Sequence, residues 1–81
     1  MNENLYKNIV SELKAVRVLK GMSQEELAGK SGLHRTYIGS VERGERNITL
    51  VSFLKICGAL QVNASTIFYN AENKNNDDSH K

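Results

Sequence analysis

The stretch at residues 22–33, MSQEELAGKSGL, leaves the chain few ways to fold. Ser23 and Glu26 have the Ser-x-x-Glu spacing of a capping box, in which each side chain accepts a hydrogen bond from the other residue's backbone N–H. Met22 and Leu27 flank the box at the spacing of a hydrophobic staple. A helix therefore begins at Ser23, carries Leu27 and Ala28, and stops near Ser31-Gly32.

A second short helix follows at once, from about Arg35 to Arg43. Leu33 and Ile38 have staple spacing around a cap at His34, a poor capping residue, and Gly44 supplies the stop. Two short helices joined by a turn containing glycine form a helix-turn-helix arrangement. Ala28 is small enough for the helices to approach closely. Gly32 takes a positive backbone dihedral at no steric cost. Leu33, Ile38 and Val41 anchor the second helix inward, which turns Arg35, Thr36, Tyr37 and Ser40 outward as a group.

Three further helices flank this pair. Leu5, Ile9, Leu13 and Val16 mark one face of a helix over about residues 4–20, ended by Gly21. Thr49 caps a fourth helix, with Ile48 and Phe53 as its staple and Leu50, Phe53, Leu54, Cys57 and Leu60 as its expected buried face. Asn63 caps a fifth, stapled by Val62 and Ile67, that is expected to end around Tyr69. The remaining residues, 70–81, are small or polar after Ala71 and bury too little to offset chain entropy, so the reading is a disordered tail. No strand-like alternation is present. The expectation is an all-α, five-helix domain over residues 1–69.

At 81 residues the chain is one small domain, of a size with little core to spare, for which a second copy of itself is a natural partner. A lone cysteine, Cys57, cannot form an internal disulfide, which fits a reducing compartment. No run of about 18 apolar residues exists to span a membrane. The N-terminus lacks the basic start and apolar stretch of a signal peptide. A cytoplasmic protein is therefore expected. Net charge is only +2, but it is unevenly spread. Between Lys7 and Lys55 there are nine Lys/Arg and five Asp/Glu; from Asn70 onward there are two and three. The folded part is more basic than the total, which permits a nucleic-acid partner.

A helix presenting Arg35, Thr36, Tyr37 and Ser40 fits the major groove of double-stranded DNA. Arg35 can pair with O6 and N7 of guanine through two parallel bonds. Thr36 can bond a base edge or touch a thymine methyl. Gly39 costs about 1 kcal/mol against alanine inside a helix. Either something approaches closely there or the short helix tolerates it. Arg46 and Asn47, in the loop after Gly44, suit phosphate contacts, which fix orientation without reading sequence.

The run MSQEELAGKSGLHRTYIGSVERGERNITL resembles the phage-repressor/Cro-like helix-turn-helix family. More narrowly, RTYIGSVERGERN is similar to the controller proteins of restriction–modification systems. The resemblance covers about residues 5–69. It implies a compact lambda-repressor-like fold and a homodimer on a pseudo-palindromic operator. By that resemblance Arg17 and Glu42 form an internal ion pair, and Gln24 touches phosphate. Arg35, Thr36 and Tyr37 contact DNA, and Arg43, Arg46 and Asn47 grip the backbone. Ile67 and Phe68 lie at the dimer seam. His34, as a cap or phosphate neighbour, and Ser40, on the outward face, complete the candidate DNA-binding residues, although His34 and Gly39-Ser40 depart from the family pattern. The protein would activate and repress transcription, with RNA polymerase as a further partner, and would control its own gene and a neighbouring endonuclease gene.

Two other readings fit the same residues. One is a regulator from a phage, plasmid or toxin–antitoxin locus. The other is a helix-turn-helix module that binds only protein. Catalysis has little support. There is no metal-ligand spacing and no glycine-rich phosphate loop, and the two histidines, His34 and His80, are far apart in sequence. No cofactor is expected.

Overall fold

The computed structural model describes residues 3–79, with side chains over residues 4–74. Among these residues there are five helices and no strand: α1 Glu3–Leu19, α2 Gln24–Ser31, α3 Arg35–Glu42, α4 Leu50–Leu60 and α5 Ala64–Ser79. The caps form as local chemistry requires. Ser23 Oγ accepts from the Glu26 N–H at 3.0 Å, and Glu26 Oε1 accepts from the Ser23 N–H at 2.9 Å. Thr49 Oγ1 caps α4 by accepting from the Ser52 N–H at 3.0 Å. Between α2 and α3, Gly32 has φ 75° and donates its N–H to the Ala28 carbonyl at 2.9 Å. A side chain at that φ would be strained, so glycine fits the turn.

The core gathers one stripe from each helix. Ile9 and Leu13 come from α1, Leu27 and Ala28 from α2, and Ile38 from α3. Phe53, Ile56, Cys57 and Leu60 come from α4, and Ile67 and Ala71 from α5. Burial pushes the Cys57 thiol pKa above its ordinary value.

Two expectations are corrected here. On α4 the buried stripe is Phe53, Ile56, Cys57 and Leu60, while Leu50 and Leu54 are 69% and 50% exposed. The observed set has i, i+3, i+4, i+7 spacing, a single helical face. The segment LVSFLKICGAL is apolar nearly all round, so its own pattern does not say which stripe turns inward. The second correction concerns α5, which runs past Tyr69 to Ser79 instead of giving way to a tail at residue 70. Ala71 is fully buried, and its carbonyl accepts from Asn8 Nδ2 at 3.1 Å. Asn70 Nδ2 donates to Glu12 Oε2 at 3.1 Å. Lys74 Nζ lies 3.2 Å from Ser11 Oγ and 3.4 Å from Glu12 Oε1. The extension rests on α1 through polar partners, which a count of apolar residues does not register. His80 and Lys81 lie outside the described residues.

One polar network ties four parts of the chain together. Arg17, 9% exposed, donates through Nε to Glu42 Oε2 at 2.8 Å and through Nη2 to Glu42 Oε1 at 3.0 Å. Its Nη1 donates to the Met22 carbonyl at 2.8 Å. Gln24 Nε2 also donates to Glu42 Oε1, at 2.9 Å. The network therefore links α1, the α1–α2 turn, the start of α2 and the end of α3. A two-point guanidinium–carboxylate pair fixes angle as well as distance, so it sets the tilt of α3.

Removing one partner of a buried pair leaves the other uncompensated, at a cost of roughly 3–5 kcal/mol. Arg17→Met is expected to lose stability on that scale, measured by urea unfolding against wild type. A loss below about 1 kcal/mol, the range of an exposed pair, would show that the network is not structural.

Candidate nucleic-acid interface

The short α3 helix is sorted by its two sides. Ile38, Gly39 and Val41 are buried, which leaves Arg35 and Thr36 exposed at its first turn and Tyr37 and Ser40 half-buried along its flank. His34 is exposed in the cap position with extended backbone and makes no side-chain cap bond. Its ring is thus not committed to holding the helix end. Gln24 stands half-buried at the start of α2, with one amide N–H committed to Glu42.

Space at Gly39 is already taken by the protein itself. A Cβ there would lie 3.0 Å from Arg43 Nη1 and 3.5 Å from Gln24 Oε1. Arg43 and Gln24 therefore converge over the middle of α3. The close approach weighed from the sequence is made by two of the chain's own side chains.

The segment from Arg43 to Thr49 carries the remaining candidates. Gly44, at φ 79°, reverses the chain after α3. Arg43 is exposed and paired with Glu45 through two bonds of 3.1 Å each. This partnership raises the arginine pKa and lowers that of the carboxyl, chiefly through the hydrogen bonds. The pair, which bridges the reversal at Gly44, is not among the expectations drawn from the sequence. Arg46 lies over the Tyr37 ring, 5.7 Å from its centroid, and Asn47 is exposed. The Tyr37 hydroxyl accepts from the Thr49 N–H at 3.3 Å. Burial works to raise its pKa. Hydrogen bonds with Ser52 and Thr49 and the nearby Arg46 charge outweigh that and lower it. Tyr37 thus sits between the helix face and the loop and touches both.

The structure therefore forms two pairs, Gln24 with Arg43 over Gly39 and Tyr37 with Arg46, and leaves Arg35, Thr36 and Asn47 exposed. The expected seam residues separate. Ile67 is fully buried in the core, so it cannot form a surface, while Phe68 is 40% exposed. Among the described residues the exposed large apolar side chains are Val18 and Leu19 at the end of α1, Leu50, Val51 and Leu54 on α4, and Phe68 and Tyr69 on α5. The Phe68 ring rests on Phe53, 5.4 Å between centroids. Neighbouring positions on a helix point about 100° apart, so Phe68 faces out because Ile67 faces in.

A family of helix-turn-helix proteins matches residues 13–67. The control protein C.SmaI of Serratia marcescens is 53% identical over 55 residues, 67% of this chain and 66% of that protein. The control protein C.BamHI of Bacillus amyloliquefaciens is 43% identical over 63 residues, 76% of this chain and 78% of that protein. Among solved structures, the restriction–modification controller protein C.Esp1396I, seen as a tetramer on its natural 35-base-pair operator, superposes with a TM-score of 0.77. It is 39% identical, and the match covers 88% of this chain and 92% of that one.

Replacing Gly39 by alanine gains helix propensity of up to about 1 kcal/mol; the new methyl crowds the flexible end of Arg43 and makes an ordinary contact with Gln24 Oε1. Gly39→Ala is expected to unfold at the same or a slightly higher temperature than wild type while displacing the Arg43 side chain. A loss of several degrees in Tm would mean that Arg43 cannot yield.

Proposed function

This chain belongs to the helix-turn-helix family that includes the control proteins, and we propose that it is the DNA-binding transcriptional regulator of a restriction–modification system. The observation that supports this reading best is the exposed start of α3, Arg35 and Thr36, standing on a rigidly tied two-helix unit with Arg46 and Asn47 beside it. In this reading α3 enters the major groove. Arg35 pairs with a guanine and Thr36 reads an adjacent base edge. Tyr37, Ser40 and His34 line the groove wall. Gln24, Arg43, Arg46 and Asn47 meet phosphates on either side, which fixes register without reading sequence.

The partner copy covers the apolar surface of Leu50, Val51, Leu54, Phe68 and Tyr69. A two-fold dimer built there presents two α3 helices to half-sites about one helical turn, ~34–36 Å, apart. The pseudo-palindromic operator lies upstream of the protein's own gene, and regulation extends to the neighbouring endonuclease gene. RNA polymerase is the further partner at that promoter, and the protein works in the cytoplasm. Its task is regulatory, not catalytic, in keeping with relatives that are named control proteins.

Fluorescence anisotropy with the duplex upstream of its own gene, against a scrambled duplex, tests the reading. Selective binding that weakens steeply with salt is expected; equal, weak binding to both would remove the regulator from consideration at that site. Arg35→Ala is expected to cost about 1–3 kcal/mol of discrimination at one base pair while the fold stays intact.

The dimer surface has its own test. Leu54→Asp is expected to give a folded monomer in sedimentation at concentrations where wild type is a dimer. An unchanged dimer would move the interface elsewhere.

A further inference from the structure

Tyr6 takes no part in the readings above, yet its hydroxyl reaches the segment that carries Arg46 and Asn47. It accepts the Ile48 N–H at 2.9 Å, from a residue 42 positions away in the chain. The next N–H, that of Thr49, goes to the Tyr37 hydroxyl. Two phenols, one from α1 and one from α3, thus take two consecutive backbone donors at the end of the loop.

The start of the loop is held differently. The N–H groups of Arg43, Gly44 and Glu45 fold back onto the carbonyls of Gly39, Val41 and Ser40. The segment is therefore fastened at both ends, with Arg46 and Asn47 exposed between them. The Ile48 N–H is partly buried, and a buried donor without an acceptor is costly, so the bond resists fraying. Tyr37 also underlies Arg46 and borders the recognition face, so its fastening is shared with other tasks. Tyr6 is half-buried in the first turn of α1, and its hydroxyl is bonded to the loop.

We infer that Tyr6 is a positioning residue for DNA binding: it acts through the Ile48 N–H to hold Arg46 and Asn47 where phosphate contacts form. The inference rests on the regulator reading above. Because the loop touches phosphate, the effect of Tyr6 is uniform across sequences and leaves base readout by Arg35 and Thr36 alone.

The test is Tyr6→Phe, which keeps the ring and removes the acceptor, in the full-length dimer. Amide exchange at Ile48 is expected to speed up in the free variant. Affinity for the upstream duplex and for a scrambled duplex is expected to fall by the same factor, about five-fold for one hydrogen bond, with the ratio between them unchanged. In an Arg46→Ala/Asn47→Ala background the same substitution is expected to cost less than about two-fold, because the contacts it positions are already gone.

Unchanged affinity, unchanged Ile48 exchange, or a full five-fold loss in the Arg46→Ala/Asn47→Ala background would each overturn the assignment. A changed operator-to-scrambled ratio would also overturn it, since it would place Tyr6 behind the recognition helix. Wild type that binds neither duplex brings down the regulator reading, and that result is read before any variant is made.

Discussion

The carboxylate of Glu42 is the point on which the rest of the molecule turns. It receives two bonds from Arg17 and one from Gln24, and Arg17 adds a bond to the Met22 carbonyl. Helices as short as α2 and α3 are marginal alone, and an apolar stripe fixes depth of packing better than rotation. Three directed bonds to one residue at the end of α3 supply the missing angular constraint. The exposed pair Arg35–Thr36 at the other end of that helix inherits its direction from them. Gln24 takes part in this network while its Oε1 faces the region above Gly39. The same side chain therefore braces the fold and borders the proposed recognition surface.

Much of this was legible in the sequence wherever the cause was local. The capping box at Ser23 and Glu26, the glycine turn at Gly32 and the threonine cap at Thr49 depend on residues within three or four positions of each other. What escaped depended on distant partners. The continuation of α5 past Tyr69 is supported by Asn8, Ser11 and Glu12, which lie far back along the chain on α1. The inward stripe of α4 is decided by which neighbours surround a helix that is apolar on nearly every side. Of the two residues expected at a seam, Ile67 turns into the core while Phe68, a quarter of a turn further on, is exposed. The residues proposed to meet DNA were legible for a different reason: they are the hydrogen-bonding residues of a helix whose anchors are plain, and exposure follows from the anchors.

Charge on the recognition side is managed as well as displayed. Arg43 reaches solvent already partnered by Glu45, whereas Arg46 leans on an aromatic face and keeps its donors open. An exposed pair of this kind is worth little, typically under about 1 kcal/mol, so the proposed phosphate contact of Arg43 would replace Glu45 at small cost. Steric order comes from Gly39, where the absence of a side chain lets Arg43 lie back across the helix.

Cys57 has a consequence of another kind. It is the single thiol of the chain, 4% exposed, and burial disfavours its thiolate. The thiolate is the reactive form, so a water-borne thiol reagent meets no target while the core is closed. Since Cys57 packs in the cluster to which every helix contributes, the rate of its modification under native conditions reports how often that cluster opens. The molecule carries its own clock for the coming and going of its fold.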